Sequence, residues 1–244
     1  MKLWQRMALV TLAVLLIAGV RFYFVWKERQ DPGVVARQAA QRKPLSQDDL
    51  AVMTQYYFAS LDQAKRLEGT NVWIKAGYSL PYYPFAGGKV DFAKRVGFLP
   101  SAEKLSISKL VKAAAPTKED DRIPHGTKQY FVVFTLSGPD GKPGTFATPI
   151  GAVQGDDEKI YTDLMFFYDD PKTIYDNWPK SVWDAVAVHE PKVGMSELQT
   201  QMTVGTVQES DSQSIGNRTV TYDAGGKSWT VTFSKGVATQ VKAG

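Results

Sequence analysis

The sequence predicts an α+β protein with an N-terminal transmembrane helix, a small, mostly antiparallel β-barrel, and a C-terminal helix packed on a three-stranded antiparallel meander. An apolar run, five short β-rich segments and a helix-capping pattern followed by three more strands carry this prediction. They divide the 244 residues into a cytoplasmic tail (1–6), a transmembrane signal-anchor helix (7–26), a linker (27–45), an amphipathic helix (46–69), a β-barrel-like domain (70–169) and a C-terminal αβββ module (170–244).

The distribution of charge argues against a nucleic-acid partner, although the pI is near 9.0. Residues 1–43 hold eight basic and two acidic side chains, whereas the rest of the chain holds 21 basic and 23 acidic ones. A surface that neutralises phosphates needs its basic excess in the folded part. We therefore predict no nucleic-acid partner.

The sequence offers little for a metal or a cofactor. It has no cysteine, which excludes disulfides, thiol catalysis and cysteine zinc sites. Its two histidines, His125 and His189, are far apart along the chain, and its acidic clusters lack the spacing of a calcium loop. We predict no cofactor, no metal site and no catalytic residue.

The run at residues 7–26, MALVTLAVLLIAGVRFYFVW, predicts a membrane anchor. Twenty helical residues span about 30 Å, the thickness of a bilayer core. Trp4 and Trp26 would lie at the two interfaces, and Arg21 could extend its guanidinium to the headgroups. This predicts a single-pass protein of a bacterial inner membrane with its soluble part in the periplasm. A cleaved signal peptide, or a soluble part in the cytoplasm, are the alternatives.

Residues 46–67 show apolar side chains at three- and four-residue steps, the period of one helix face. Ser46 and Asp49 resemble a capping pair, and Gly69 would end the helix. The predicted apolar stripe consists of Leu50, Met53, Tyr57, Leu61, Ala64 and Leu67.

The middle of the chain predicts five strands, at residues 71–76, 104–111, 129–136, 145–153 and 159–168. Short strands with long connections favour a closed or half-closed barrel. The layout of VWIKA, an aromatic and proline-rich loop, and GFLP before the second strand resembles a bacterial SH3-like barrel over residues 70–168.

Four aromatic residues of YSLPYYPFAGG form the candidate interaction surface: Tyr78, Tyr82, Tyr83 and Phe85. Prolines would hold this loop with little entropy left to lose on binding. The alternative, which we favour, is that the helix at 46–67 covers the loop and buries these rings.

The C-terminal segment has the clearest local pattern. Ser196 and Gln199 form a capping box, which predicts a helix from Glu197. Asp170 before Pro171 predicts a further helix start. Strands follow at about 217–223, 227–234 and 237–242, separated by glycine-containing turns.

This segment resembles the small periplasmic modules of the SmpA/OmlA lipoprotein family, through GMSE-x-Q, Gly205 and WTVTF-x-x-G over residues 192–242. The family includes a subunit of the outer-membrane barrel-assembly machinery and, by fold, β-lactamase-inhibitor proteins. The resemblance implies a module that binds proteins and is not an enzyme. This chain lacks the family's lipidated cysteine.

The sequence contains only weak matches to catalytic motifs. Ser-x-x-Lys occurs at Ser101–Lys104 and at Ser106–Lys109, and we interpret both as chance because no companion motif follows. Asp163 is the carboxylate expected on a half-buried strand face, without a partner for acid catalysis.

We predict a membrane-anchored periplasmic, non-enzymatic module that binds a protein or another cell-envelope component. The alternatives are a structural accessory subunit of a larger membrane complex, or an envelope enzyme built from His125, Asp163 and the tyrosines.

Overall fold

The computed structural model describes residues 3–30, 48–77, 80–115, 128–137, 141, 143–155, 157–223 and 227–244. The chain divides into two units, Met1–Leu50 and Ala51–Gly244. Most of the predicted linker at 27–45 lies outside the described residues, and residues 27–30 belong to a helix.

Helix α1 (Leu3–Gln30) forms the first unit with a 3₁₀ turn at Asp48–Leu50. Arg21 lies within its apolar run, and Lys27 and Arg29 lie in its last turn. Placing an ionised side chain in the hydrocarbon core of a membrane is energetically unfavourable. Over the described residues, no helix combines the length and apolarity that crossing a bilayer requires. This finding contradicts the predicted signal-anchor at 7–26 and the predicted single-pass inner-membrane location.

The second unit contains a nine-stranded antiparallel sheet with the order β3-β2-β7-β6-β5-β1-β9, while β4 pairs with β2 and β8 with β7. Its strands are β1 (Asn71–Ile74), β2 (Leu80–Ala86), β3 (Lys89–Val90), β4 (Gly97–Leu99), β5 (Lys104–Ala114), β6 (Lys128–Ser137), β7 (Pro143–Gln154), β8 (Asp157–Ile160) and β9 (Phe166–Phe167).

The sheet is open, so the predicted small barrel is wrong. Within the described residues, the two-residue strands β3 and β9 end the sheet and do not pair with each other. The predicted strand at 159–168 is broken by helix α3 (Thr162–Met165), so that β8 returns along β7 while β9 pairs with β1. Gly151 permits the β7–β8 approach, because a Cβ there would lie 2.0 Å from the Lys159 carbonyl oxygen.

Strand β6 forms the centre of the core. Its hydrophobic run is buried on both faces: Tyr130, Val132 and Phe134 belong to the main apolar cluster, and Phe131 and Val133 belong to a second cluster behind the sheet. A strand covered on both sides needs such a continuous run, and the sequence has it.

The predicted helix at 46–69 is wrong over most of its length. Residues 51–59, here called the strap, have no regular secondary structure, and only helix α2 (Leu61–Ala64) and a 3₁₀ turn at Lys65–Leu67 follow. The Asp163 carboxylate accepts the backbone N–H groups of Tyr56 and Tyr57, each at 2.8 Å. These donors are therefore satisfied without helical carbonyls. Tyr57 also has a φ of 50°, which a right-handed helix excludes.

Replacing Asp163 with alanine should release the strap. Hydrogen bonds to a charged group contribute about 1.5–3 kcal/mol, and we expect hydrogen exchange at the Tyr56 and Tyr57 amides to accelerate about tenfold or more. Asp169→Ala is the matched control, because Asp169 accepts the Thr54 hydroxyl, at 2.6 Å, but no backbone amide of the strap among the described residues. Equal exchange in both variants would show that the carboxylate does not hold the strap.

The C-terminal part consists of helices α4 (Pro171–Ile174), α5 (Lys180–Val188) and α6 (Glu197–Val204), followed by a four-stranded antiparallel sheet. Its strands are consecutive: β10 (Thr206–Ser210), β11 (Thr219–Asp223), β12 (Ser228–Ser234) and β13 (Val237–Ala243). The caps predicted at Asp170 and at Ser196 with Gln199 are confirmed. The prediction of a three-stranded meander omitted a fourth strand, β10, which begins directly after Gly205 at the end of α6.

Candidate binding site

The predicted interaction surface is part of the core. Tyr82, Tyr83 and Phe85 lie in strand β2 and are buried, and Tyr78 lies outside the described residues. The Tyr82 and Phe146 rings meet edge to face with centroids 5.3 Å apart. Three of the four residues predicted as an exposed platform are therefore buried, as the favoured alternative expected, although that alternative assigned the cover to a helix at 46–67. The covering elements are mainly strands of the sheet and not a helix at 46–67.

Asp163 and His125 were the other residues considered for a site. Asp163 holds the strap, as described above, and His125 lies outside the described residues. The second Ser-x-x-Lys pair is separated on β5: Ser106 donates its hydroxyl to Asn71 at 2.8 Å, while the Lys109 ammonium lies 4.7 Å from the centre of the Phe85 ring. This pair forms no site.

A cleft of about 340 Å³ opens where three segments of the second unit meet. We call it the Trp73–Trp183 cleft, after the two half-buried indoles in its lining. The segments are the end of β1 with the turn at 101–104, the start of α4 and the C-terminal half of α5. The lining residues are Trp73, Ser101, Ala102, Glu103, Lys104, Asp170, Pro171, Lys172, Trp183, Val186, Ala187 and His189.

The turn between β4 and β5 places a hydroxyl in this cleft. The Glu103 amide donates to the Pro100 carbonyl at 3.4 Å, and Ala102 has a φ of 61°. Alanine is disfavoured in this left-handed region, so the turn holds local strain. Ser101 is 2% exposed, and its Oγ has no hydrogen-bond partner among the described residues. A buried, unpaired hydroxyl is costly unless something else bonds it.

The opposite side of the cleft is also strained. His189 ends helix α5 with a φ of 55°, a position that glycine usually occupies. Its Nδ1 lies 3.2 Å from the Thr203 carbonyl oxygen. Because a carbonyl only accepts, Nδ1 donates this bond, and Nε2 is the acceptor in the neutral ring.

Glu103 is the remaining unusual group. Its carboxylate is half-buried and makes no hydrogen bond or ion pair with the described residues. Burial raises the pKa of this carboxyl above its ordinary value, and the nearby His189 opposes that rise. The exposed Lys104 instead places its ammonium 5.7 Å from the centre of the Trp73 ring.

These features fit binding better than nucleophilic catalysis. A serine nucleophile needs a base within hydrogen-bond reach, and within the described part of the chain the Ser101 hydroxyl has none. The Ser101–Lys104 pair therefore does not form the catalytic arrangement of its motif. Aromatic rings, a few convergent polar groups and strained backbone are typical of a ligand site.

Sequence reasoning missed most of this cleft. Among the lining residues, Ser101 and Lys104 were interpreted as a chance motif, Asp170 was predicted as a helix cap, and His189 was noted only as one of two distant histidines. Glu103 and Trp183 had no signal of their own. The strain at Ala102 and His189 comes from their positive φ angles in the folded chain. Neither alanine nor histidine in a sequence indicates such a backbone conformation.

Relieving the strain at Ala102 should stabilise the protein. We expect Ala102→Gly to raise the free energy of unfolding by roughly 0.5–1 kcal/mol in urea denaturation, because glycine adopts positive φ without penalty. Lys235→Gly is the matched comparison, since Lys235 has a φ of 54° in the turn between β12 and β13, away from the cleft. A destabilised Ala102→Gly variant would contradict the assigned strain.

Comparisons with known proteins give no match to a family model, a curated protein or a solved structure. These comparisons therefore do not test the resemblances to the SmpA/OmlA family and to SH3-like barrels, and a closed barrel is already contradicted by the open sheet described above.

Proposed function

We propose that this protein is a non-enzymatic module that binds another protein, and that the Trp73–Trp183 cleft receives a segment of that partner. The observation that carries the proposal is the combination, in one cleft, of two indole rings, a buried hydroxyl without a hydrogen-bond partner among the described residues, and a half-buried carboxylate that makes no hydrogen bond or ion pair with them.

The energetics support a protein segment as the ligand. Tryptophan is enriched among the residues that dominate binding energy at protein interfaces. A cleft of about 340 Å³ is large enough for one or two side chains with their backbone. The Trp183 ring packs against the Trp178 ring, with centroids 5.1 Å apart. Because this contact already restricts the Trp183 side chain, its indole loses little conformational entropy on binding.

Site-specific photo-crosslinking tests the proposal. The full chain would carry p-benzoylphenylalanine at position 183, or at position 215, where the native Ile215 is 72% exposed and outside the cleft. After irradiation of intact cells, mass spectrometry of the crosslinked peptides should identify one partner segment joined at position 183 and not at position 215.

Two results would contradict the proposal. One is the same set of crosslinked proteins from both positions, which indicates non-specific contact. The other is a partner crosslinked at position 215 alone, which places the binding surface elsewhere.

A further inference from the structure

We propose that the partner segment presents an arginine or lysine side chain to the cleft, where its cationic group pairs with Glu103 against the two indoles. This inference rests on the proposed function and specifies the chemistry of the partner.

The first argument is the unequal use of the two carboxylates in the cleft. Asp170 caps helix α4, and its Oδ1 accepts the Lys172 amide at 2.9 Å. Glu103 has no such bond among the described residues. A half-buried carboxylate that makes no hydrogen bond or ion pair with the described residues has lost hydration, and the nearby His189 offsets that loss only in part. A cation that enters the cleft supplies the remaining compensation.

The second argument is that an indole of the cleft already accepts a cation. The Lys104 ammonium lies over the Trp73 ring, at a distance where the ring quadrupole attracts positive charge. Lys104 is exposed, so its long side chain can move aside into solvent. A cation from the partner can take its place, and Glu103 then adds an ion pair.

The third argument concerns the remaining N–H groups of the incoming side chain. Arginine carries five donors and lysine three, and a single carboxylate cannot accept all of them. The buried Ser101 hydroxyl provides a further acceptor in the same cleft. The cleft therefore pairs unused acceptors with a donor-rich ligand.

An anionic ligand fits less well. The cleft does contain cations, but Lys104 and Lys172 are exposed, whereas Glu103 is half-buried. Because charge interactions strengthen as water is excluded, the less exposed charge has the larger influence on a ligand inside the cleft. An anion would meet Glu103 at short range.

The test uses the full chain, labelled with ¹⁵N, and follows the indole N–H resonances of Trp73 and Trp183. Trp73→Phe and Trp183→Phe variants identify the two signals. The probes are two blocked tripeptides, acetyl-Gly-Arg-Gly-amide and the same peptide with citrulline, which has nearly the shape of arginine without its charge. We expect both resonances to shift with the arginine peptide, and the citrulline peptide to bind at least tenfold more weakly.

The Glu103→Gln variant completes the experiment. It should bind the two peptides with affinities within twofold of each other, because the counter-ion is absent. It should also unfold at the same or a higher urea concentration at pH 7, since it removes a desolvated charge. This variant therefore separates loss of binding from loss of folding.

The outcomes distinguish this inference from the proposed function. Equal binding of both peptides to the wild-type chain, or no shift with either, overturns the basic-side-chain inference, and crosslinking at position 183 would still support the cleft as the binding site. If crosslinking places the partner elsewhere while the arginine peptide binds in a Glu103-dependent way, the proposed function fails and the cation site stands.

Discussion

Replacing Arg218 with leucine is expected to lower the free energy of unfolding by about 3–5 kcal/mol, the largest effect of a single charged residue that we foresee in this protein. Arg218 and Glu197 form an ion pair whose side chains are only 11% and 8% exposed. Arg218 Nε donates to Glu197 Oε1 at 3.0 Å, and its Nη2 contacts the same oxygen. Without Arg218 the carboxylate is left buried and unpaired.

The pair also connects elements that are distant along the chain. Glu197 lies in the first turn of α6, and its Oε2 accepts the Gly216 amide at 3.0 Å. Arg218 Nη1 donates to the Ser212 carbonyl at 3.2 Å. The loop before β11 is thereby fixed to the helix, so we expect the loss of Arg218 to loosen both.

Two variants control this measurement by urea denaturation. Glu197→Gln combined with Arg218→Leu should recover part of the loss, because glutamine is neutral and its oxygen can still accept the Gly216 amide. Lys180→Leu breaks the exposed pair between Lys180 and Asp184 and should cost less than about 1 kcal/mol. A loss below 1 kcal/mol for Arg218→Leu would mean that the buried pair does not stabilise this fold.

Replacing Tyr83 with alanine should also cost about 3–5 kcal/mol, the range measured for large aromatic residues in cores. Tyr83 is 0% exposed, and its ring centroid lies 5.5 Å from that of Phe92. The substitution would leave a cavity between strand β2 and the 3₁₀ turn at Phe92–Lys94. We expect the urea midpoint to fall by a corresponding amount.

Tyr57→Ala is the matched control for Tyr83→Ala. Tyr57 was predicted on the apolar stripe of the helix at 46–67 but is 76% exposed, and its replacement should change stability by about 0.5 kcal/mol or less. If both variants lost a similarly small amount of unfolding free energy, the result would contradict the burial of Tyr83 in β2 and would indicate that its side chain is exposed.

The sequence by itself determined elements whose signal is local. Strands β5, β6 and β7 follow from runs of β-branched and aromatic residues, and α6 starts at Glu197 because Ser196 and Gln199 satisfy the first amides of that helix. The Asp170–Pro171 start of α4 has the same basis. In each case the deciding contacts lie within a few residues along the chain.

The tertiary structure decided features that depend on distant residues. The helical period at 46–67 was overridden because Asp163, more than a hundred residues away, binds the amides of Tyr56 and Tyr57. Tyr82, Tyr83 and Phe85 became part of the core because β7 and β4 pair with β2 and place it inside the sheet. Barrel closure failed for a similar reason, since the chain turns at α3 and directs β8 and β9 to different strands.

The candidate binding site also depends on contacts between residues that are distant along the chain. Glu103 and His189 are 86 positions apart, and only the packing of α5 beside the β4–β5 turn brings them to one cleft. Composition and periodicity describe what each segment prefers alone. They carry no information on which unpaired polar groups will share a cleft, because that depends on how the segments pack.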